Sequence, residues 1–410
     1  MANAGIYISV PFCRQKCTYC NFASDVHPAS LLPEYAKALI QEIGGRRELW
    51  PAAGIPVRDD QPVDSIYMGG GTPGLLAQEQ LAAILDSVRA SFHVEHEAET
   101  AIEASPENVT AATSAAWAGM GVNRVSLGVQ SMVREEIRAV GRIYDAAGVE
   151  AAFANLRAAG IRNISADLIA GLPHQTAASW ERSMDELLAL EPEHVSVYML
   201  EVDDDSRLGN EILRKGEHYH ATAVPTEDQV ADFYCAAMER LRDAGFEHYE
   251  ISNFARPGKR SRQNQKYWTN APYFGFGADA HSYDGERRWA NVDDTVAYVE
   301  TIRNGQLPVA ENKTLGWQEK LEERLFLGLR RREGVSLSKV EAEFTREGIA
   351  NEELGTVAVN FGLSIRQRFA EPIRKFTEAG WLESEGDCLR LTDQGVLFSN
   401  EVFAGFLVEN

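Results

Sequence analysis

The chain has 410 residues, of which 44% are hydrophobic and 25% charged, and its formal net charge is −21. This composition excludes a disordered or fibrous protein and allows two domains, or one large domain with an appendage. The acidic balance argues against broad nucleic-acid binding and against a polybasic membrane surface. The sequence shows neither a run of about 18 apolar residues nor a secretory signal, so we expect a soluble, cytoplasmic protein.

Short β-rich runs alternate with amphipathic helical patterns over the first 200 residues. This alternation predicts an α/β fold with a parallel sheet covered by helices. No GxGxxG motif follows the first strand, which disfavours an open doubly wound sheet, so we predict a partial (β/α)6 TIM-like barrel. The predicted strands are Ile6–Val10, Ser65–Met68, Thr100–Ala104, Arg124–Gln130, Ile164–Ile169 and His194–Leu200. The predicted helices are Gln80–Phe92, Ala111–Met120, Gly148–Ala159 and Trp180–Leu190.

The second half of the chain has a less regular pattern. It predicts a helix at Val224–Ala244, a strand at His248–Ser252 and an aromatic, glycine-rich stretch at Tyr267–Tyr283. After Pro308 a helix, two short strands about a turn and another helix predict a smaller C-terminal winged-helix-like domain, whose acidity argues against DNA binding. We place the barrel core at 1–200, its completion at 201–308 and the C-terminal domain at 309–410.

Three of the five cysteines, Cys13, Cys17 and Cys20, form a C-x3-C-x2-C cluster in the loop after the first predicted strand. Three thiolates can hold three irons of a [4Fe–4S] cluster and leave the fourth iron open to another ligand. The alternatives are a zinc site completed by His27, or three unrelated buried thiols. The other two cysteines, Cys235 and Cys388, stand alone, and we expect them to be small buried hydrophobic residues.

Polar and glycine residues follow several of the predicted strands. Gly69–Pro73 ends the second strand, where a backbone without Cβ atoms can approach a ligand closely or simply form a tight turn. Glu103, Gln130, Arg142 and Asp167 lie at or just beyond strand ends, where polar side chains point into the mouth of a barrel. Taken singly, each of these residues is better explained by a structural role.

On these residues the sequence resembles the radical S-adenosylmethionine (SAM) superfamily. Within it, the chain resembles the oxygen-independent coproporphyrinogen III oxidase group and, more narrowly, the HemW-type haem chaperones. The resemblance covers most of the chain, and its motifs occur in the same order. They are Tyr7–Cys13, Gly69–Pro73, Gly128–Ser131, Gly141–Arg142, Asp167–Pro173 and Tyr249–Phe254.

The resemblance implies two cofactors in the barrel, a [4Fe–4S] cluster on the three clustered cysteines and SAM beside it. Tyr7 corresponds to a tyrosine beside the sulfonium, and Gly70, Gly71 and Thr72 correspond to contacts with the methionine part. The remaining SAM-binding positions implied by the resemblance are Glu103, Gln130, Arg142 and Asp167.

The same scaffold serves two functional classes, and Phe22 separates them. In the oxidases a fourth cysteine extends the motif to C-x3-C-x2-C-x-C, whereas here that position is Phe22, close to the cluster, as in the chaperones. The oxidases also have a longer segment before the cluster, which here begins at residue 13. The resemblance therefore implies a chaperone that carries haem b as cargo and lacks coproporphyrinogen oxidase activity. The alternative is an oxygen-independent oxidase that decarboxylates coproporphyrinogen III in porphyrin biosynthesis.

The haem-binding motif HNxxYW of the chaperones reads Gln263-Asn264-Gln265-Lys266-Tyr267-Trp268 in this chain. Glutamine is a poorer ligand for haem iron than imidazole, so Tyr267, His281 and His248 are further candidate ligands. Five cations between Arg256 and Lys266 precede Tyr267, Trp268, Tyr273, Phe274 and Phe276. Either the cations hold the propionates while the aromatic rings cover the porphyrin, or a solvated basic loop stands beside a packed core.

The resemblance also implies the partners. We expect haem as cargo and respiratory haemoproteins as recipients, with delivery at the membrane surface. We expect no nucleic-acid partner, and the sequence does not distinguish a monomer from a homodimer. A third hypothesis is a catalytically silent iron–sulfur or zinc-binding interaction module, which would not bind SAM.

Overall fold

The computed structural model describes residues 3–59, 61–350 and 364–407, and the side chains of 345–350 lie outside that description. The chain divides into two compact units. The first contains Met1–Glu247, Ser252–Gln263 and Ala271–Lys313; the second contains His248–Ile251, Asn264–Asn270 and Thr314–Asn410. The predicted boundaries at 200 and 308 stay predictions, and the predicted domain at 309–410 includes residues 351–363, which lie outside the described residues.

The strands and helices of the described residues are as follows. The strands are β1 Ala4–Val10, β2 Val63–Gly70, β3 Val94–Ala104, β4 Arg124–Gln130, β5 Asn163–Ala170, β6 His194–Met199, β7 Glu247–Glu250, β8 Asn253–Ala255, β9 Tyr273–Phe276, β10 His281–Tyr283, β11 Arg287–Asn291, β12 Val309–Thr314, β13 Val335–Ser336, β14 Leu382–Glu385 and β15 Cys388–Leu391. The helices are α1 Leu31–Ala52, α2 Gln78–Ser91, α3 Ala111–Gly119, α4 Arg134–Ala139, α5 Ala146–Ala158, α6 Ala177–Ala189, α7 Arg207–Leu213, α8 Glu227–Asp243, α9 Arg262–Trp268, α10 Thr295–Arg303, α11 Trp317–Arg330, α12 Leu337–Ala350, α13 Ile365–Arg368, α14 Ala370–Glu378, α15 Asp393–Leu397 and α16 Ser399–Ala404.

The sheet of the first unit places β1 to β6 side by side in sequence order, all parallel. β9 adds in parallel to the free edge of β1, and β8 adds antiparallel to β6. The full order of the strands of this unit is β12-β11-β10-β9-β1-β2-β3-β4-β5-β6-β8. Six consecutive parallel strands with intervening helices confirm the predicted partial barrel.

The parallel strands are buried on both faces, as expected when helices cover the sheet outside and side chains fill it inside. In β1 every residue except Tyr7 is buried. α1 packs against the sheet with residues spaced by three or four, among them Tyr35, Leu39 and Ile43. α6 and α8 are joined by the Trp180 indole, which donates a 2.7 Å hydrogen bond to the Phe233 carbonyl.

The second unit contains a three-stranded antiparallel sheet in the order β13-β15-β14. β14 and β15 form a hairpin in which Leu382 lies opposite Leu391, and the turn contains Gly386 at a φ of 60°. α14 precedes this hairpin and α15 follows it. This succession confirms the predicted smaller C-terminal domain and its helix, two-strand, helix order.

All six predicted parallel strands and the four predicted helices between them exist, with ends that differ by a few residues. The largest difference is β3, which begins at Val94 rather than at Thr100. α1 did not follow from the sequence. Among the described residues, no helix combines the length and the apolar character needed to cross a membrane.

Candidate cofactor site at the carboxyl ends of the parallel strands

The three clustered cysteines lie in the loop that leaves the carboxyl end of β1. Cys17 is buried, whereas Cys13 and Cys20 are partly exposed. The loop is fixed to its surroundings through the backbone, because the Cys13 amide donates to the Asp25 carbonyl at 2.9 Å and the Thr18 amide to the Val140 carbonyl at 3.3 Å. The thiols are therefore held in one place at the edge of the sheet.

The electrostatic surroundings act in both directions on the ionisation of these thiols. Burial raises the pKa of Cys13 and of Cys17, and the neighbouring thiols add to both increases. Arg142 acts in the opposite direction on the pKa of Cys17, since its positive charge favours the thiolate. No three Cys, His, Asp or Glu side chains of the described residues converge on a single ion. An iron–sulfur cube does not need such convergence, because its thiolates bind different irons.

The turn after β2 brings bare backbone against the cysteine loop. Gly70 has a φ of 97°, a left-handed conformation that glycine adopts without strain. A Cβ atom on Gly71 would lie 2.8 Å from the carbonyl oxygens of both Val10 and Phe12. The Thr72 amide donates to the Phe12 carbonyl at 2.8 Å. The glycines are thus required by this close approach, which leaves a backbone surface at the edge of the sheet.

Two carboxyl groups, Glu103 of β3 and Asp167 of β5, lie near this turn. Glu103 Oε1 accepts from the Tyr67 hydroxyl at 2.8 Å, and its Oε2 accepts from the Gly70 amide at 3.1 Å. Burial raises the pKa of Glu103 to about 7, and the charge of Asp167 adds to the increase. Burial also raises the pKa of Asp167 to about 6, although hydrogen bonds from Ser196 and Ser126 oppose the shift. Carboxyl groups so placed are suited to accept from a bound cationic or hydroxyl-bearing ligand.

Arg142 supplies the positive charge beside these groups. Its Nη1 donates to the Ser105 hydroxyl at 3.0 Å, and its Nη2 donates to the Tyr19 hydroxyl at 3.2 Å. Its Nε is buried and has no hydrogen-bond partner. A buried donor without a partner is costly, so this atom is available to an acceptor of a bound molecule or to water.

The other predicted SAM-binding residues are Tyr7, Gln130 and Phe22. Tyr7 of β1 stacks on Tyr67, with ring centroids 6.1 Å apart. Gln130 ends β4, is buried and has a φ of 62°, a left-handed conformation that is uncommon outside glycine. Phe22 differs from them because its side chain is 66% exposed. The structure therefore brings the cysteines, the glycine turn and the strand-end polar residues together.

Gln263, the first residue of the expected haem motif, occupies a different part of the first unit. Its side chain is 1% exposed, and its Oε1 accepts from the Ser65 hydroxyl at 2.9 Å. Ser65 lies near the amino end of β2, five residues before Gly70, which corresponds to about 16 Å along a strand. Gln263 is therefore remote from the cysteine loop.

The other candidate haem residues are more accessible. In the second unit Asn264, Tyr267 and Trp268 are partly exposed, and the Arg330 guanidinium lies 4.2 Å from the centre of the Trp268 ring. In the first unit His281 is 65% exposed, and its Nε2 lies 4.0 Å from Asp279 Oδ1.

The aromatic residues after the motif are not available to cover a porphyrin. Phe274 and Phe276 are buried and pack against Trp50, with ring centroids 5.3 and 6.0 Å apart respectively. Of the two alternatives stated above, both residues fit the packed core, because their strand β9 lies inside the sheet. The preceding cations also have partners: Arg260 pairs with Glu247 at 3.1 Å, and Arg262 Nη1 donates to the Glu97 carbonyl at 2.8 Å.

Sequence reasoning missed the residues that hold the predicted ones in position. Tyr67, Ser105 and Ser126 bond to Glu103, Arg142 and Asp167 respectively. Only Tyr67 carried a usable signal, because it alternates with Gly69 along β2 and so shares a face with it.

The chain matches known proteins along its whole length. Residues 7–187 match the model of the radical SAM superfamily, and residues 317–398 match that of the HemN C-terminal domain. A protein of Bacillus subtilis named heme chaperone HemW is 34% identical over 405 residues, covering 98% of this chain and 99% of the relative. A heme chaperone HemW of Mycobacterium tuberculosis is 33% identical, covering 97% of this chain and 93% of the relative.

A solved structure shows the same fold. Coproporphyrinogen III oxidase (HemN) of Escherichia coli superposes with a TM-score of 0.82 at 21% identity, covering 99% of this chain and 90% of that one. Sequence identity above 30% along the full length of the proteins named HemW assigns the chain to that family within the superfamily. The chain belongs to the HemW family of the radical SAM superfamily.

Proposed function

We propose that this protein is a haem chaperone that binds haem, a [4Fe–4S] cluster and SAM, and that it delivers haem to respiratory haemoproteins. The observation that carries the proposal is the similarity, over 98% of the chain, to a relative named heme chaperone. The recipients are haemoproteins of respiration, which brings the chaperone to the membrane surface during delivery.

Cys13, Cys17 and Cys20 are the proposed cluster ligands. Support comes from their position in one loop and from the charge of Arg142 beside Cys17. These three cysteines would hold the cluster, which would supply one-electron chemistry when bound, while the chain supplies binding, orientation and exclusion of water.

SAM is proposed to bind between the glycine turn and the strand-end polar residues. The Arg142 Nε that lacks a partner supports a ligand acceptor at this place, and the two carboxyl groups support ligand donors. The remaining contacts are proposed for Tyr7, Phe22, Gly70, Gly71, Thr72 and Gln130.

The haem contacts are proposed at two places that are tested separately. Tyr267 and Trp268, with Asn264, offer partly exposed aromatic surface for the porphyrin. His281 offers an exposed imidazole for the iron. We assign Gln263 a positioning role, in which its bond to Ser65 fixes the start of α9.

The test is a haem titration of cluster-loaded protein followed by transfer to a haem-free respiratory haemoprotein. We expect a Soret band that saturates and then moves to the recipient. Trp268→Leu and His281→Ala should each weaken haem binding. His96→Ala is the matched control, because His96 is another exposed histidine beside a carboxylate. Failure of wild-type protein to bind or to transfer haem would refute the proposal.

The oxidase alternative requires a different result. The likeness to the E. coli oxidase at 21% identity supports the fold alone. Reduced, cluster-loaded protein incubated with SAM and coproporphyrinogen III should yield no protoporphyrinogen if the chaperone proposal holds. Product formation would favour the oxidase. A colourless preparation that holds zinc and does not bind SAM would favour the interaction module.

A further inference from the structure

Two histidines from separate segments of the first unit meet at the surface. His174 lies in the loop after β5, and His220 lies in the 3₁₀ segment His218–Ala223 that follows α7. Their Nε2 and Nδ1 atoms are 3.1 Å apart, with the rings crossing at 68°. We propose that this pair is a binding site for a divalent first-row transition metal ion such as Zn²⁺.

The distance between the two nitrogens is the first argument. A Zn–N bond is about 2.0–2.1 Å long, so two imidazoles on one ion at angles of 90–110° have nitrogens about 2.9–3.4 Å apart. The observed 3.1 Å falls within that interval. An N–H···N hydrogen bond between neutral rings gives a similar distance, and the experiment below separates the two explanations.

The second argument is the carboxylate on the far side of His174. Glu135 Oε1 lies 4.0 Å from His174 Nδ1, the ring nitrogen that does not face His220. The two atoms are too far apart for a direct hydrogen bond, but the negative charge favours the tautomer with the proton on Nδ1, which presents the lone pair of Nε2 to the metal.

The third argument is that the two segments are already held together. The His174 amide donates to the Ala223 carbonyl at 2.8 Å, so the two segments are bonded through their backbones. The buried Gln175 side chain fixes the loop by accepting from the Gly171 amide at 2.6 Å. Both histidines have left-handed backbones, with φ of 68° and 59°. Such conformations cost energy and are found at ligand-binding segments more often than elsewhere.

The geometry of the histidine pair also distinguishes a hydrated metal ion from a haem iron as its ligand. No third Cys, His, Asp or Glu joins the pair in the described part of the chain, so water completes the coordination. Two axial ligands of one haem iron stand on opposite faces of the porphyrin, with the iron between their nitrogens. The observed pair is closer, which fits a hydrated ion rather than an iron inside a porphyrin.

The test is calorimetric titration of cluster-loaded protein with Zn²⁺ under anaerobic conditions. His174→Asn and His220→Asn remove one imidazole each, and asparagine tolerates the left-handed backbone, so the segments keep their conformation. His96→Asn is the matched control, because exposed His96 has a carboxylate neighbour, Glu97, at 2.9 Å.

We expect each pair variant to lose about tenfold or more in Zn²⁺ affinity, and the His96 variant to keep wild-type affinity. The wild type and the three variants share any zinc uptake at the cysteine loop. The difference in Zn²⁺ affinity between each variant and the wild type therefore tests the histidine pair alone. A smaller loss in either pair variant overturns the assignment and leaves the histidines as a hydrogen-bonded pair. The site is independent of the haem proposal, since neither result depends on haem binding.

Discussion

Arg142 Nη2 donates a 3.2 Å hydrogen bond to the Tyr19 hydroxyl, which lies between the second and third clustered cysteines. The same guanidinium is bonded to Ser105 just beyond β3, and its Nε is buried without a partner. One side chain thus joins the cysteine loop to the carboxyl ends of the strands, and it retains one donor for a ligand.

The first prediction concerns that donor. In cluster-loaded protein, Arg142→Met should weaken SAM binding by about tenfold or more, because a charged hydrogen bond is lost in a buried site. Equilibrium dialysis with labelled SAM measures the effect. Tyr19→Phe is the matched control: it removes one bond of the guanidinium but leaves the one to Ser105, so its effect should be much smaller. Equal SAM affinity in Arg142→Met and wild type would remove Arg142 from the site.

The second prediction concerns the cluster ligands. Anaerobically reconstituted wild-type protein should be brown, and serine at Cys13, Cys17 or Cys20 should abolish the [4Fe–4S] signal, because the hydroxyl is a poor substitute for a thiolate. Iron content and electron paramagnetic resonance of the reduced protein are the measurements. Cys235→Ser is the control, since Cys235 lies on α8. Full iron content in Cys17→Ser would show that the cluster is held elsewhere.

The third prediction concerns Glu42, a buried carboxyl of α1. It accepts from the Tyr298 hydroxyl at 2.7 Å, the Gly277 amide at 2.9 Å and the Asn291 amide group at 2.7 Å. Burial nevertheless raises its pKa to about 7 from the ordinary value of 4.5. Because the folded state binds this proton more tightly than the unfolded state, its contribution to stability is complete below pH 4.5 and is lost as the pH rises towards 7.

The measurement is the midpoint of thermal unfolding for wild type and Glu42→Gln across that pH interval. The glutamine does not ionise, so the midpoint of Glu42→Gln relative to wild type should rise between pH 4.5 and 7. The free energy involved is on the order of 3 kcal/mol. Glu34→Gln is the control, because Glu34 lies on the same helix but is exposed and paired with Arg303. A midpoint difference that is independent of pH would contradict the assignment.

The sequence predicted the parallel strands well because their apolar runs are bounded by turn residues. It missed α1, since Pro33, Pro51 and the pair Gly44 and Gly45 all indicate a helix break. The helix forms because one face is buried, with Leu39, Ile43 and Trp50 among its residues. Packing against the sheet outweighs the local preference in this segment.

The strand-end polar residues could likewise be predicted, because parallel strands end at the same edge. Their partners could not, since the bond between Tyr67 and Glu103 depends on how β2 and β3 are aligned. The burial of Phe274 and Phe276 could not be predicted for the same reason. The sequence shows aromatic residues after a basic stretch, but it does not show that β9 pairs with β1. Such relations between distant segments are set by tertiary packing.

The last prediction concerns Gln263, which stands where the chaperone motif has histidine. Its side chain is buried and accepts from Ser65, so an imidazole at this position would face the start of β2 and not a bound porphyrin. We therefore expect Gln263→His to leave the Soret band and the spin state of bound haem unchanged. His281→Ala, tested in parallel, should alter both, because its imidazole is exposed.

Ser65→Ala separates a structural role of Gln263 from a ligating one. The variant removes a buried hydrogen bond of Gln263, and we expect it to lower the free energy of unfolding by about 1–2 kcal/mol without a change in the haem spectrum. Urea unfolding and absorption titration with haem measure the two effects. A Soret shift in Gln263→His would show instead that this residue faces the iron, and the haem contacts would then have to be assigned to the start of α9.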